Sequence, residues 1–207
     1  MSTPNGTAPR TSQDPGSAIR VVLAALRAVA RELWHLPDML RHGDRRAEAR
    51  RRLAAVAPVR TALFICHGNV CRSPFAEVLF SRLMEERGMH VGVSSAGFIG
   101  PERTSPPGAL SAAARRRFDI SDHRSSLITA ERLAGSDLIV VMSAEQERAI
   151  AGFAAMHRGE VIVLGDLDPQ PISRRTVLDP WGGDDTLFDE SYDRIERCIA
   201  AMVYALT

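Results

Sequence analysis

From residue 60 to the end of the chain, short apolar runs alternate with segments whose apolar residues recur at helical spacing. The runs at 61–66, 90–94, 137–142 and 160–164 predict strands, and 73–87, 106–118, 144–153 and about 188–206 predict helices. A strand followed each time by a helix pairs with the next strand in parallel, because the helix carries the chain back across the sheet. The expected fold is α/β: a four-stranded parallel sheet flanked by helices, a flavodoxin-like or Rossmann-like three-layer sandwich. Ligands of such sheets bind beyond the carboxyl ends of the strands. Cys66 stands at one of those ends.

Ahead of this pattern the chain changes character. Residues 1–17 are rich in Ser, Thr, Pro and Gly, have no apolar period and read as a disordered tail. Residues 18–57 read as a helical extension to a domain spanning 58–207. In a first helix over 18–40, Arg20, Arg27 and Arg31 share one face, while Val22, Leu26, Val29, Leu33 and Leu36 populate the other. A second, Arg-rich helix over 44–56 is ended by Pro58, and its run Arg50-Arg51-Arg52 reads as a solvated face. A basic amphipathic extension suits an anionic membrane surface, or packing on its own domain or on a second copy of the chain; packing is the commoner use.

The bulk numbers narrow the function classes. A formal net charge of +1 supplies no global field for nucleic acid, and no nucleic-acid partner is expected. All 26 cationic side chains are Arg, which is read as coding bias. Three cysteines, an odd number without disulfide-style spacing, fit a reducing, cytoplasmic setting. No apolar run approaches the roughly 18 residues of a membrane span. Asp166, Asp168, Asp184 and Asp185 are better explained by turns and helix starts than by a metal site, and neither metal nor cofactor is expected.

The chemistry concentrates in Cys66-His67-Gly68-Asn69-Val70-Cys71-Arg72-Ser73-Pro74. Gly68 and Asn69 are the residue types that most easily enter the left-handed conformation, so they let a short loop curl with its N–H groups pointing inward as an anion nest. Ser73 is expected to cap the following helix, with Pro74 in its first turn. That helix terminus adds positive potential at the same point. The planar fork of Arg72 matches two phosphate oxygens. A cysteine at the mouth of such a nest is expected as a thiolate. It is a nucleophile facing a tetrahedral anion, the arrangement for phosphoryl transfer to sulfur. The rival reading, a buried structural cysteine on an incidental turn, leaves the remaining residues unexplained.

This stretch resembles the phosphate loop of the low-molecular-weight protein tyrosine phosphatases, Cys-x5-Arg-Ser/Thr. Ser95-Ala96-Gly97, Asp122-His123-Arg124, the segment from Leu164 to Gln170, and Asp179-Pro180-Trp181 resemble later segments of that family, in order, across about residues 60–206. The resemblance leaves the N-terminal extension unassigned. It implies a phosphatase acting on tyrosine-phosphorylated proteins through a phosphocysteine. Cys66 would be its nucleophile, Arg72 the clamp, and Asp179 a general acid kept protonated by nearby negative charge. Phosphate and substrate would meet His67, Gly68, Asn69, Val70, Cys71, Ser73 and Trp181, with Ser95 and His123 holding the loop. The same resemblance makes Cys71 the redox partner of Cys66, closing a reversible disulfide; structural filler is its rival.

Departures from the pattern bear on specificity. Ser126 and Ser143 stand where many relatives carry Arg and Asp, and Gly182 replaces a second aromatic after Trp181. The family includes protein-arginine phosphatases, which are associated with Thr at the position of Val70. Val70 favours phosphotyrosine, while Asp-Pro-aromatic-Gly-Gly leans toward phosphoarginine. An arsenate reductase on this scaffold needs two further relay cysteines, and none lies between residues 72 and 197. A non-catalytic phosphate-binding module would lack nucleophile, arginine or acid, and all three are present.

Overall fold

The computed structural model describes residue 20 and residues 36–153 and 157–207. The tail over 1–17, and residues 18, 19 and 21–35 of the helix expected over 18–40, lie outside the described residues. Asp38–Thr207 form one compact unit. Its elements, in chain order, are α1 (His42–Val56), β1 (Thr61–Cys66), α2 (Arg72–Glu85), β2 (Gly92–Gly97), α3 (Pro107–Arg115), α4 (Ala130–Ala134), β3 (Leu138–Val141), α5 (Ala144–Ala151), β4 (Glu160–Val163), a 3₁₀ turn (Leu164–Leu167) and α6 (Asp185–Leu206).

The four strands pair in the order β2-β1-β3-β4, all parallel. Burial along β1 explains why its sequence runs apolar without alternating, since both faces of a parallel sheet are covered. Ala62, Phe64 and Cys66 join one core with Leu138, Val140 and Ile162 from the sheet and Phe75, Phe80 and Tyr192 from α2 and α6. Leu63 and Ile65 join the other with Ile139, Val141 and Val163, under Leu133 of α4 and Ile150 of α5. Each fully buried aromatic or aliphatic side chain here contributes about 1.5–3 kcal/mol. The chain leaves β1 outward to β2 and then crosses to β3 on the other side. The order therefore reverses beside the carboxyl end of β1, where a crevice opens.

Several boundaries differ from those expected. β2 occupies Gly92–Gly97 rather than 90–94, because its register with β1 runs from Thr61↔Gly92 to Cys66↔Gly97. Pairing along the whole of β1 overrides the weak strand propensity of Ser-Ser-Ala-Gly. α4 was not expected; Thr129 caps it, its hydroxyl accepting from Arg132 N at 3.3 Å. α6 starts at Asp185 because the Asp184 carboxylate accepts from Leu187 N at 3.0 Å.

The extension is the larger difference. The compact unit begins at Asp38, ahead of the boundary expected at 58, because α1 is part of its packing. Ala49 and Leu53 enter the first core. His42 Nε2 donates to the Asp168 carbonyl at 2.9 Å, and Arg175 N donates to the Asp38 carboxylate at 3.3 Å. In the run Arg50-Arg51-Arg52, Arg50 and Arg51 are exposed as expected. Arg52 instead pairs with Glu160 and donates to the Val161 carbonyl at 2.9 Å. No described helix is long and apolar enough to cross a membrane.

Candidate active site

β1 delivers Cys66 to the crevice, and the chain turns through residues 67–71 before α2 begins at Arg72. Asn69 makes this turn, with φ of 50° and full burial. Gly68 does not adopt a left-handed conformation. What it provides is room: a Cβ there would lie 3.0 Å from Nη2 of Arg103. Gly97 at the end of β2 does the same on the other side, since a Cβ would stand 2.9 Å from Asn69 N.

Asn69 is the hub of the loop. Its backbone N–H donates to Cys66 Sγ at 3.2 Å. Its amide Nδ2 donates to Ser73 Oγ at 2.9 Å and to Ser95 Oγ at 2.7 Å, so both amide protons are used. Oδ1 accepts from Ser126 N at 2.7 Å, and the Asn69 carbonyl accepts from His123 Nε2 at 2.7 Å. A carbonyl can only accept, which fixes the His123 proton on Nε2. A side chain so completely satisfied can hold a left-handed backbone that costs about 1 kcal/mol for a non-glycine residue.

Ser73 does not cap α2. It lies inside the first turn, where its hydroxyl accepts from Asn69 and donates to Cys66 Sγ at 3.0 Å. The sulfur thus receives two hydrogen bonds at the amino end of a helix. Ser95 passes the network outward, donating to the Glu77 carboxylate at 2.5 Å. Burial pushes the Glu77 carboxyl up against this hydrogen bond. From behind, Tyr192 Oη donates to the Cys71 carbonyl at 3.0 Å, its ring stacked on Phe75 at 4.1 Å. Cys71 is a free, buried thiol, pushed up to about 12 by burial first and then by the charges of Cys66 and Asp179.

Arg72 is 3% exposed and bridges to the far segment. Nη1 donates to the Val177 carbonyl at 3.1 Å, and Nη2 is ion-paired with the Asp179 carboxylate, so the charge directly against Asp179 is a cation and not the negative charge expected. Its Nε–H is buried and has no partner among the described residues. Asp179 also accepts from Trp181 N at 3.3 Å through Oδ1, and Trp181 is 60% exposed. The segment leading to Asp179 is held from several elements. Val177 N donates to the Met142 carbonyl at 2.9 Å, and Ser191 Oγ to the Leu178 carbonyl at 2.9 Å. Arg194 donates to the carbonyls of Thr176 and Arg174, both at 2.8 Å. Arg194 and Arg197 also engage Asp168, which is 1% exposed, and Arg175 grips Asp166 with two bonds at 2.8 and 2.6 Å. Those aspartates are thus committed to arginines.

Cys66, His67, Gly68, Val70, Cys71, Arg72, Asp179 and Trp181 line one cleft of about 330 Å³, together with Ile99 and Arg103. Asn69, Ser73, Ser95 and His123 stand beneath it as the loop's supports. Glu77, Arg103, Tyr192 and Arg194 were not anticipated. Only Tyr192 lies on an apolar helical period in the sequence, and that period signals core rather than loop support.

The model of the family described as low molecular weight phosphotyrosine protein phosphatase matches residues 61–207. The protein-arginine-phosphatase of Bacillus subtilis (strain 168) is 32% identical over 145 residues, covering 70% of this chain and 95% of its own. A probable low molecular weight protein-tyrosine-phosphatase of Ralstonia nicotianae is 33% identical over 147 residues, with 70% and 94% covered. Among solved structures, the tyrosine phosphatase Wzb from Escherichia coli K30 in complex with sulphate superposes with a TM-score of 0.65 at 26% identity, covering 72% of this chain and 99% of that one.

Proposed function

The chain belongs to the low molecular weight phosphotyrosine protein phosphatase family, and from that premise we propose that it hydrolyses phosphotyrosine on proteins through a phosphocysteine at Cys66. The chain is a cysteine-dependent phosphatase of phosphorylated proteins. The observation carrying the residue roles is the ion pair of Arg72 with Asp179 in the cleft that also holds Cys66. It brings Cys66, Arg72 and Asp179 around one small volume, which supports reading them as nucleophile, clamp and acid.

In the first step Cys66 Sγ attacks phosphorus in line. The S–P bond forms as the bond from phosphorus to the tyrosyl oxygen breaks, and the Asp179 carboxyl gives that oxygen its proton. The Arg72 Nε–H, which no group among the described residues engages, is a donor for an equatorial oxygen, alongside the loop N–H groups. In the second step Asp179 takes a proton from water as the water oxygen bonds to phosphorus and the S–P bond breaks. Ser73 eases that departure by donating to the sulfur.

Cys71 is the redox partner in this account. A peroxide converts Cys66 to a sulfenic acid, the Cys71 thiol condenses with it, water leaves and a disulfide closes. A reducing cytoplasm would return the disulfide to two thiols once the peroxide is gone.

Dephosphorylation of protein arginine is the second reading. It is favoured by the Bacillus subtilis relative and by Gly182 and Gly183, which leave Trp181 as the one aromatic side chain of its loop. Hydrolysis of p-nitrophenyl phosphate against pH, with phosphotyrosine and phosphoarginine peptides run alongside, tests both. Turnover of the tyrosine peptide by wild type, and none by Cys66→Ser, is the expected outcome. Turnover of the arginine peptide alone selects the second reading.

A further inference from the structure

Arg103 is the second guanidinium of the cleft, and its setting differs from that of a loose surface arginine. Nη2 donates to the Gly68 carbonyl at 2.6 Å and to the Ile99 carbonyl at 2.9 Å, and Nε donates to the Gly100 carbonyl at 3.0 Å. Three carbonyls therefore fix the plane of the fork. Two glycines make space for it. A Cβ on Gly100, where φ is +56°, would stand 2.6 Å from Nε, and a Cβ on Gly68 would stand 3.0 Å from Nη2. The entropy of ordering this long side chain is already lost before anything binds.

Its charge and one of its donor groups are left over. No carboxylate among the described residues is ion-paired with Arg103, and Nη1 makes no hydrogen bond among them. Among the described residues the cleft offers a single carboxylate, Asp179, already paired with Arg72. Arg103 nonetheless acts electrically on the loop, since its charge opposes the rise of the Cys71 thiol. The other neighbours, Val70, Ile99 and Trp181, are apolar or aromatic and suit an aryl ring. Beyond the ring and the phosphate, the feature left to be read is a negative group within reach of Nη1.

We propose that Arg103 is a specificity-determining residue that selects phosphotyrosine flanked by acidic side chains and disfavours substrates carrying positive charge beside the phosphate. The inference rests on the phosphotyrosine reading of the site. A fixed guanidinium gains a charge-assisted hydrogen bond from a neighbouring Asp or Glu of the substrate. It repels a Lys or Arg in the same place, and equally the guanidinium of a phosphoarginine leaving group.

The test compares kcat/KM for three phosphotyrosine peptides differing only in flanking Glu, Gln or Lys, and for a phosphoarginine peptide. It uses wild type, Arg103→Gln and Arg103→Lys at low and high salt. Wild type is expected to favour the Glu peptide over the Lys peptide by about tenfold at low salt, with salt narrowing the gap. In Arg103→Gln the ratio should fall to within about twofold, and Arg103→Lys should keep part of it. Ratios between peptides cancel any general loss from the freed Gly68 carbonyl. Wild type carries half the test even where a variant fails to fold. Equal rates on all three tyrosine peptides, or a preference that survives in Arg103→Gln, overturns the role of Arg103 alone. Turnover of phosphoarginine with none of phosphotyrosine overturns both the role and the reading beneath it.

Discussion

The phosphate loop and the acid segment face each other across one cleft, yet they are held in opposite ways. Within the loop, Cys66, Asn69 and Ser73 satisfy one another, and Ser95 and His123 complete the set from the two neighbouring segments. Asp179 has no such local network. Its approach hangs on Arg72, on the Met142 carbonyl at the end of β3, and on Ser191 and Arg194 of α6. Upstream, the segment is tied to α1 and the residues just before it, which precede the family-matched region: Arg175 N donates to Asp38, and His42 to the Asp168 carbonyl. The nucleophile's geometry is thus a local property and the acid's a property of the whole unit. Damage to the loop should strike every step, while damage to the acid's supports should strike only steps that move a proton.

Removing the nucleophile is the largest expected effect. Cys66→Ser should lower kcat on p-nitrophenyl phosphate by about 10⁴-fold or more, while vanadate still binds in a fluorescence or calorimetric titration. Asp179→Asn should cost about 10²–10³-fold on a phosphotyrosine peptide and less on p-nitrophenyl phosphate, whose leaving group needs no proton.

Asn69→Gly separates backbone from side chain. Glycine keeps the left-handed turn without strain, so any loss comes from the missing amide. A drop of about 10²-fold in kcat/KM and weaker vanadate binding are expected, since the donors to the anion shift together. Arg194→Met, by contrast, should reduce kcat on the phosphotyrosine peptide by about tenfold and leave vanadate affinity near that of wild type. It frees the Thr176 and Arg174 carbonyls without touching the loop. Equal damage to binding and turnover by Arg194→Met would erase the distinction between the two regions.

What the sequence revealed follows the same division. Cys66, Asn69, Arg72 and Ser73 sit within one short stretch, so their spacing alone announced a loop, and Ser95, His123 and Asp179 came with the resemblance built on it. Glu77, Tyr192 and Arg194 act through contacts whose partners are 18 to 121 residues away, and no spacing encodes such pairs before the sheet order is known. Ser73 shows the limit inside the loop itself. Serine before proline at a helix start reads as a cap, but the sulfur it reaches becomes its neighbour only once Asn69 turns the chain. For α1 the sequence left packing, the commoner use, beside a membrane surface, because its apolar face is narrow, essentially Ala49 and Leu53, among many arginines.

The smallest effect lies at the outer end of the network. The folded Glu77 carboxyl is raised by burial above its ordinary value of 4.5. A raised carboxyl favours the folded state most when both states are protonated. That advantage is lost as pH rises from the ordinary value through the folded one. Urea denaturation of wild type against Glu77→Gln should show wild type losing relative stability as pH climbs from about 4 to neutrality. A pH-independent difference would remove Glu77 from the titrating part of the network.

The central claim, that Cys66 itself carries the phosphoryl group, is tested most directly by rapid acid quench of Asp179→Asn with p-nitrophenyl phosphate, followed by mapping of the phosphorylated residue by mass spectrometry. The asparagine slows the water step more than the first, so one phosphoryl group per active chain should accumulate on Cys66. Turnover with no phosphoryl group on any residue, or with the group on His67 or another side chain, would contradict it.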